Sequence, residues 1–208
     1  MRAGSALVAL MALAMPSLAA ALEFTPRDIL ATWQRQSFQG ETRYMLDGEA
    51  LQARCSNSAS GLFLRRKIDL RATPIIEWSW RVDVVFAGPV DETSKAGDDF
   101  AARLYVVRDG GVVVWRTRAI NYVWASAMPP GSTWPNPFAA QARMVALRGG
   151  PPPAPGQWVT ERRNIAEDFR RYHGRDVEAI DAVAIMTDCD NRSAVAEAWY
   201  GPVRFLAE

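Results

Sequence analysis

Histidine is nearly absent from this chain, cysteine is scarce, and arginine has almost wholly displaced lysine. His173 is the only histidine. Any Ser–His or metal–His chemistry would hang on this one residue at the end of a helical stretch, where the helix dipole favours a cation. No Gly-x-Ser-x-Gly elbow, phosphate-cradling glycine loop or dinucleotide fingerprint occurs, so no motif points to an α/β-hydrolase, a nucleotide hydrolase or a dehydrogenase. Two cysteines and one histidine do not make a structural zinc set. Only Lys67 and Lys95 are lysines, and the 24 basic residues almost balance the 23 acidic ones without forming a stripe; nucleic acid is therefore not an expected partner. No apolar run reaches the roughly 20 residues that a helix needs to span a bilayer, so stable membrane insertion is not expected either.

What is present begins with an export signal. Arg2 supplies a positive start, Ala6–Met15 an apolar run, Pro16 and Ser17 a break, and Leu18-Ala19-Ala20-Ala21 the small residues that a signal peptidase reads. This order predicts a cleavable signal peptide over residues 1–21 and an exported protein, periplasmic or secreted. Residues 22–208 then form one expected domain, long enough to bury a sizeable core. Outside the cytoplasm Cys55 and Cys189 can pair. Such a bridge closes a long loop, worth up to about 5 kcal/mol by chain entropy; two separate buried thiols are the other reading.

The patterning is mostly that of strands. Thr25-Pro26 can open a short helix. Thr42–Met45, the turn Asp47-Gly48 and Glu49–Cys55 read as a hairpin, and Gly61–Leu70 as the next strand. Pro74–Phe86 alternates, with Ile76, Trp78, Trp80, Val82 and Val84 on one face. Phe100–Val107 places Phe100, Ala102, Leu104 and Val106 on one face and Arg103, Tyr105 and Val107 on the other. Asp109-Gly110-Gly111 reads as a hairpin turn from which Val112–Thr117 returns. Ile120–Ser126, Arg143–Leu147, Trp158–Arg163, Ile180–Thr187 and Ala196–Leu206 are further strands; Met128–Phe138 reads as an irregular Pro/Gly-rich loop. Asn164–His173 is a helix with Asn164 as cap and Gly174 as stop. Many short strands and few helices predict an all-β fold with one or two short helices: an antiparallel β-sandwich of jelly-roll type, with a closed barrel as the alternative.

Several segments together carry a resemblance: Lys95–Val107 (KAGDDFAARLYVV), Asn121–Ser126 (NYVWAS), Trp134–Phe138 (WPNPF), Glu161–Asn164 (ERRN), Asp168–Arg170 (DFR) and Met186–Asn191 (MTDCDN). In this order, over essentially all of residues 22–208, the chain resembles an exported bacterial family known as domain of unknown function 3047. The family's strand layout is similar to that of jelly-roll carbohydrate-binding modules, a fold-level analogy. The chain departs from the family pattern twice. Cys189 stands where a small polar residue is expected, and Gly201-Pro202 where Gly-Asp is expected.

Three sets of residues could carry chemistry. Flat rings stack on pyranose faces, and the chain is rich in them; Trp78 and Trp80 share a face with Ile76 and Val82 and read as core. Tyr105 beside Arg103, Asn121 with Tyr122 and Trp124, and Trp134 as the exposed ring of a Pro/Gly loop are the candidate ligand contacts. Asp98 and Asp99 precede one strand, and Asp188, Asp190 and Asn191 follow another. If the two loops meet, their oxygens can share a hard cation such as calcium. Turn chemistry is the plainer account, since no complete calcium-loop spacing is present, and no cofactor is otherwise expected. Glycoside hydrolysis would need a carboxyl pair from Glu77, Asp98, Asp99, Glu161, Asp188 and Asp190. Glu161-Arg162-Arg163 reads more simply as an ion-pair network at a strand end. The expectation is a non-catalytic binding protein for a cell-envelope or extracellular polysaccharide. A carbohydrate-active enzyme with paired carboxylates and an envelope scaffold that binds another protein are the alternatives. The sequence leaves the oligomeric state open.

Overall fold

The computed structural model describes residues 22–112 and 116–208; the expected signal peptide, residues 1–21, lies outside the described residues. The strand β1 (Leu22–Phe24) leads into helix α1 (Pro26–Thr32). Thr25 caps α1, its hydroxyl accepting from the Asp28 amide while the Asp28 carboxylate accepts from the Thr25 amide. Then come β2 (Gln34–Gln39), β3 (Arg43–Asp47), β4 (Ala50–Ser56), β5 (Ala59–Asp69) and β6 (Ile75–Val82). A turn of 3-10 helix (Lys95–Gly97) precedes β7 (Ala102–Arg108), β8 (Arg118–Ala125), β9 (Thr133–Pro135), β10 (Ala142–Gly149) and β11 (Val159–Asn164). Helix α2 (Ile165–His173), capped by Asn164 and ended at Gly174, leads to β12 (Ala179–Asp188) and β13 (Val195–Leu206). Among the described residues, no helix is long and apolar enough to cross a membrane.

The strands form two sheets. One runs β11-β6-β13-β4-β3, with β1 also on β13; the other runs β2-β5-β12-β7-β8-β10-β9. Every pairing is antiparallel except β8 with β10. The result is a β-sandwich of jelly-roll type, as the patterning predicts.

The core lies where the inner faces meet. Ile76, Trp78, Trp80 and Val82 from β6 are buried there with Leu104, Val106, Ile120, Tyr122, Trp124, Val183 and Ile185 from the opposite sheet. Rings bridge the two layers: Trp78 packs 5.4 Å from Tyr122 and Trp80 packs 6.1 Å from Trp124, centroid to centroid. Cys55 at the end of β4 and Cys189 just past β12 form a disulfide between the sheets, with their Cα atoms 6.1 Å apart.

Three expectations about strands change. β6 ends at Val82, and Val84 is 75% exposed rather than part of the inner face. Residues 113–115 of the expected return strand lie outside the described residues; the strand that returns along β7 is β8, with Arg108 opposite Arg118. Phe100 does not share the face of Ala102. It precedes β7, and its ring joins Val123, Trp134, Met144 and Ala146 in a second, smaller apolar cluster.

Candidate functional site

The outer face of the seven-stranded sheet carries a hollow built by alternation. On β7 the odd residues Arg103 and Tyr105 face outward, because Leu104 and Val106 fill the core. Register then sets two rows across the sheet. Phe63, Ala184, Tyr105, Asn121 and Met144 form one, and Gly61, Met186 and Arg103 the other. Large side chains stand beside small ones, and Ala59, Ala119 and Ala142 leave room between them. Gly61 matters here: a Cβ on it would lie 2.8 Å from Cε2 of Phe63 and 2.8 Å from the Ile185 carbonyl oxygen, so the Phe63 ring rests where a side chain would be. The cavity has a volume of about 470 Å³. Its walls include Phe38 of β2, Asn136 and Phe138 of the loop after β9, and Asp190 and Asn191 of the loop after β12. Phe38 and Phe138 are 60% and 57% exposed. Phe63 lies 6.1 Å from Tyr105 and 6.3 Å from Phe38.

At one end of the cavity sits a buried charge cluster centred on Arg103. Its Nε donates to Asp188 Oδ1 at 2.8 Å, and its Nη2 donates to Asp188 Oδ2 and to the Asp98 carbonyl. Nη1 reaches both Asp98 carboxylate oxygens and the Tyr105 hydroxyl at 3.4 Å. The guanidinium also stacks 4.5 Å above the Phe100 ring. Asp98 accepts a further bond from Asn136 Nδ2 at 3.1 Å. Asp99 accepts from the Asn191 amide and side chain through Oδ1, and from the Arg192 amide through Oδ2. Gly97 lets this loop pass close to its neighbour, since a Cβ there would lie 2.2 Å from the Asp91 carbonyl oxygen. The two acidic loops therefore converge.

The buried Arg103 guanidinium pairs with Asp98 and Asp188, and Asp99 and Asp190 stand close to Asp188. Burial pushes the Asp188 carboxyl up, to about 8; the Arg103 guanidinium pulls against it, and Asp98 and Asp99 add to the rise. Burial also raises Asp190, whose one side-chain partner is Asn191 Nδ2 at 3.5 Å. Tyr105 is raised by burial. The carboxylate oxygens of Asp99, Asp188 and Asp190 lie within 4.8 Å of one another, the arrangement a divalent cation would use. Lone-pair accounting counts against such a cage. Oδ1 of Asp99 already accepts two N–H bonds, and Oδ1 of Asp188 accepts from the Phe100 amide and Arg103 Nε. Asp190 keeps the most free acceptor capacity. Asn121, 2% exposed, donates to Met144 Sδ while its Oδ1 has no partner.

Of the candidate ligand contacts, Asp98, Arg103, Tyr105, Asn121, Asp188, Asp190 and Asn191 line the cavity, and Asp99 braces its acidic loops from behind. Tyr122, Trp124 and Trp134 do not. Tyr122 and Trp124 sit on the opposite face of β8 from Asn121, in the core. The Tyr122 hydroxyl donates to Asp168 at 2.7 Å, and Trp124 Nε1 donates to the Gly150 carbonyl. Trp134 is 4% exposed, because residues 133–135 of the Pro/Gly loop pair with β10 and turn its ring onto Phe100. Among the carboxyls considered for hydrolysis, Glu77 is tied to Arg162 and Arg204, and Glu161 to Arg148 and Trp80; both lie away from the cavity. His173 hydrogen-bonds the Ala119 carbonyl through Nε2, and burial lowers its basicity. It is thus not the helix-end cation that its position suggests.

Sequence reasoning missed Phe38, Phe63, Asn136, Phe138 and Met186. A signal existed for three of them, Met186 opening the MTDCDN segment. Asn136 and Phe138 belong to the WPNPF segment, where Asn136 Oδ1 accepts from the Phe138 and Ala139 amides and leaves its Nδ2 to hold Asp98.

A family model described as "Protein of unknown function (DUF3047)" matches residues 31–204. No curated protein matches. Among solved structures, the chain is similar to a low-affinity xylan-binding module from Roseburia intestinalis, at 14% identity over 91% of this chain and 96% of that one, with a TM-score of 0.36. It is also similar to the metal-free form of lectin I-B4 from Griffonia simplicifolia, at 12% identity over 88% and 98%, with a TM-score of 0.45. A thermostable cellulase derived from a Rhodothermus marinus enzyme gives 9% identity over 90% and 97%, with a TM-score of 0.38. Likenesses of this degree carry no argument about ligand or activity.

Proposed function

Because the chain belongs to the family of unknown function DUF3047, which assigns it no activity, we propose its function from the cavity: it is an exported, non-catalytic protein that binds sugar units of a cell-envelope or extracellular polysaccharide. One observation carries this reading. The 470 Å³ hollow joins aromatic walls, from Phe38, Phe63, Tyr105 and Phe138, to a polar end at Asp190, Asn191 and Asn121. A pyranose ring presents the same pairing, an apolar face and hydroxyls at its edge, and the volume suits a small ligand. The Cys55–Cys189 disulfide supports an oxidising compartment, as does the signal-like N-terminus. The non-catalytic reading is supported by Arg103, which ties up Asp98 and Asp188. Asp190 is thereby left without a second free carboxyl across a scissile bond.

The test is a thermal-melt panel of polysaccharide fragments on the mature protein, with calcium and with a chelator. A fragment at 100 times its Kd stabilises by about 2.7 kcal/mol, a clear rise in Tm. Tyr105→Ala is expected to abolish that rise, with no release of reducing ends from any fragment. A panel with no responsive glycan would overturn the proposal.

A further inference from the structure

The cavity asks for a ligand that donates. Arg103, the one cation that lines it among the described residues, is spent on Asp98, Asp188 and the Tyr105 hydroxyl. Asp98 and Asp188 share that guanidinium, while Asp99 and Asp190 beside them have no ion-pair partner among the described residues, so carboxyl groups outnumber cations at this end. Its freest group, Asp190, is half-buried at the cavity wall, with its own backbone amide and Asn191 Nδ2 at 3.5 Å as its partners among the described residues. A second, independent feature points the same way. Asn121 lines the cavity, is almost fully buried, and holds an unpaired acceptor in Oδ1. A buried acceptor without a partner is costly unless a ligand supplies the donor. The walls also include Phe38, Phe63, Tyr105 and Phe138, aromatic rings of a kind that attracts cations as well as sugars, and Lys95 Nζ already lies 5.3 Å from the Phe138 centroid.

Resting on the saccharide reading above, we propose that the bound sugar carries a free, unacetylated amino group whose ammonium sits against Asp190, with the ring over the aromatic wall. A divalent cation is the competing occupant. It fits less well, because Oδ1 of Asp99 and Oδ1 of Asp188 each already accept two N–H bonds and each Oδ2 accepts one more, whereas an ammonium needs only one free carboxylate and a neutral acceptor.

The experiment is calorimetric titration of the disulfide-intact mature protein with three oligomers of equal length and linkage: β-1,4-linked glucosamine, its N-acetylated form, and the glucose oligomer. The glucosamine oligomer is expected to bind about tenfold or more tighter than either neutral one, roughly 1.4 kcal/mol or more. That advantage should shrink as ionic strength rises. Asp190→Asn should remove the preference for the glucosamine oligomer over the two neutral ones. A preference that also persists with chelator present excludes a metal bridge; one that vanishes with chelator overturns the ammonium in favour of the cation. Equal binding of all three oligomers overturns the amino-group inference and leaves the saccharide reading standing. Binding of none overturns both.

Discussion

At the residue scale, Arg103 holds the site together. Its guanidinium is buried between Asp98 and Asp188, and removing it leaves two carboxyls in low dielectric without their cation. Arg103→Leu is expected to destabilise the fold by about 3 to 5 kcal/mol, read by urea denaturation. Adding Asp188→Asn to that variant should recover part of the loss, because the stranded charge goes with it. His173 gives a pH signature of its own. Burial lowers its basicity, so below the unfolded value of about 6.5 the unfolded chain takes up a proton that the folded chain refuses. Stability should therefore rise with pH up to about 6.5 and gain nothing further from this group above it. His173→Gln should flatten that slope in melts across pH 5 to 8; an unchanged slope would place its origin elsewhere.

At the element scale, alternation decides which face a residue serves, and it divides what the sequence discloses from what it hides. In β6 the run of large apolar residues marks the inner face without ambiguity, and Trp78 and Trp80 are core, as read. In β8 both faces are apolar or aromatic, with Tyr122 and Trp124 on one side and Asn121, Val123 and Ala125 on the other, all buried. Period two separates these sets but does not say which one faces the cavity. Only the register with β7, Tyr105 opposite Asn121, settles it. Trp134 misled for a different reason. Proline and glycine mark a turn, and a turn can still fold a ring back onto the sheet when a few of its residues pair, as Thr133–Pro135 do with β10. Trp134→Ala should therefore cost about 3 to 5 kcal/mol as a core truncation while the folded variant still binds. Denaturation and ligand titration on the same preparation would check this. The acidic loops were legible as a pair and their meeting was not, because contact between residues some ninety positions apart is a property of strand order, which no local pattern carries.

At the scale of the whole molecule, the sandwich divides its labour between faces. The inner faces supply stability through the bridging rings, and the outer face of the larger sheet is free to be hollow. The disulfide is the covalent tie between the two layers. Reducing it, or replacing both cysteines with serine, is expected to lower stability by about 2 to 5 kcal/mol and to weaken binding at the cavity, measured by melts and titration with and without reductant. Unchanged affinity on reduction would show that the acidic loop holds its shape through hydrogen bonds alone.

Cys189 stands between Asp188 and Asp190 in the chain, so the bond that joins the layers also anchors the loop that presents both carboxyls. Its partner lies far upstream in β4, at a sequence separation of 134, so the tie can close only after the strands between them have been made. A reduced copy would keep the hydrogen bonds of Asn191 and Arg192 to Asp99 but lose the covalent anchor of the acidic loop. Competence to bind would then be set by the oxidation of this one bond.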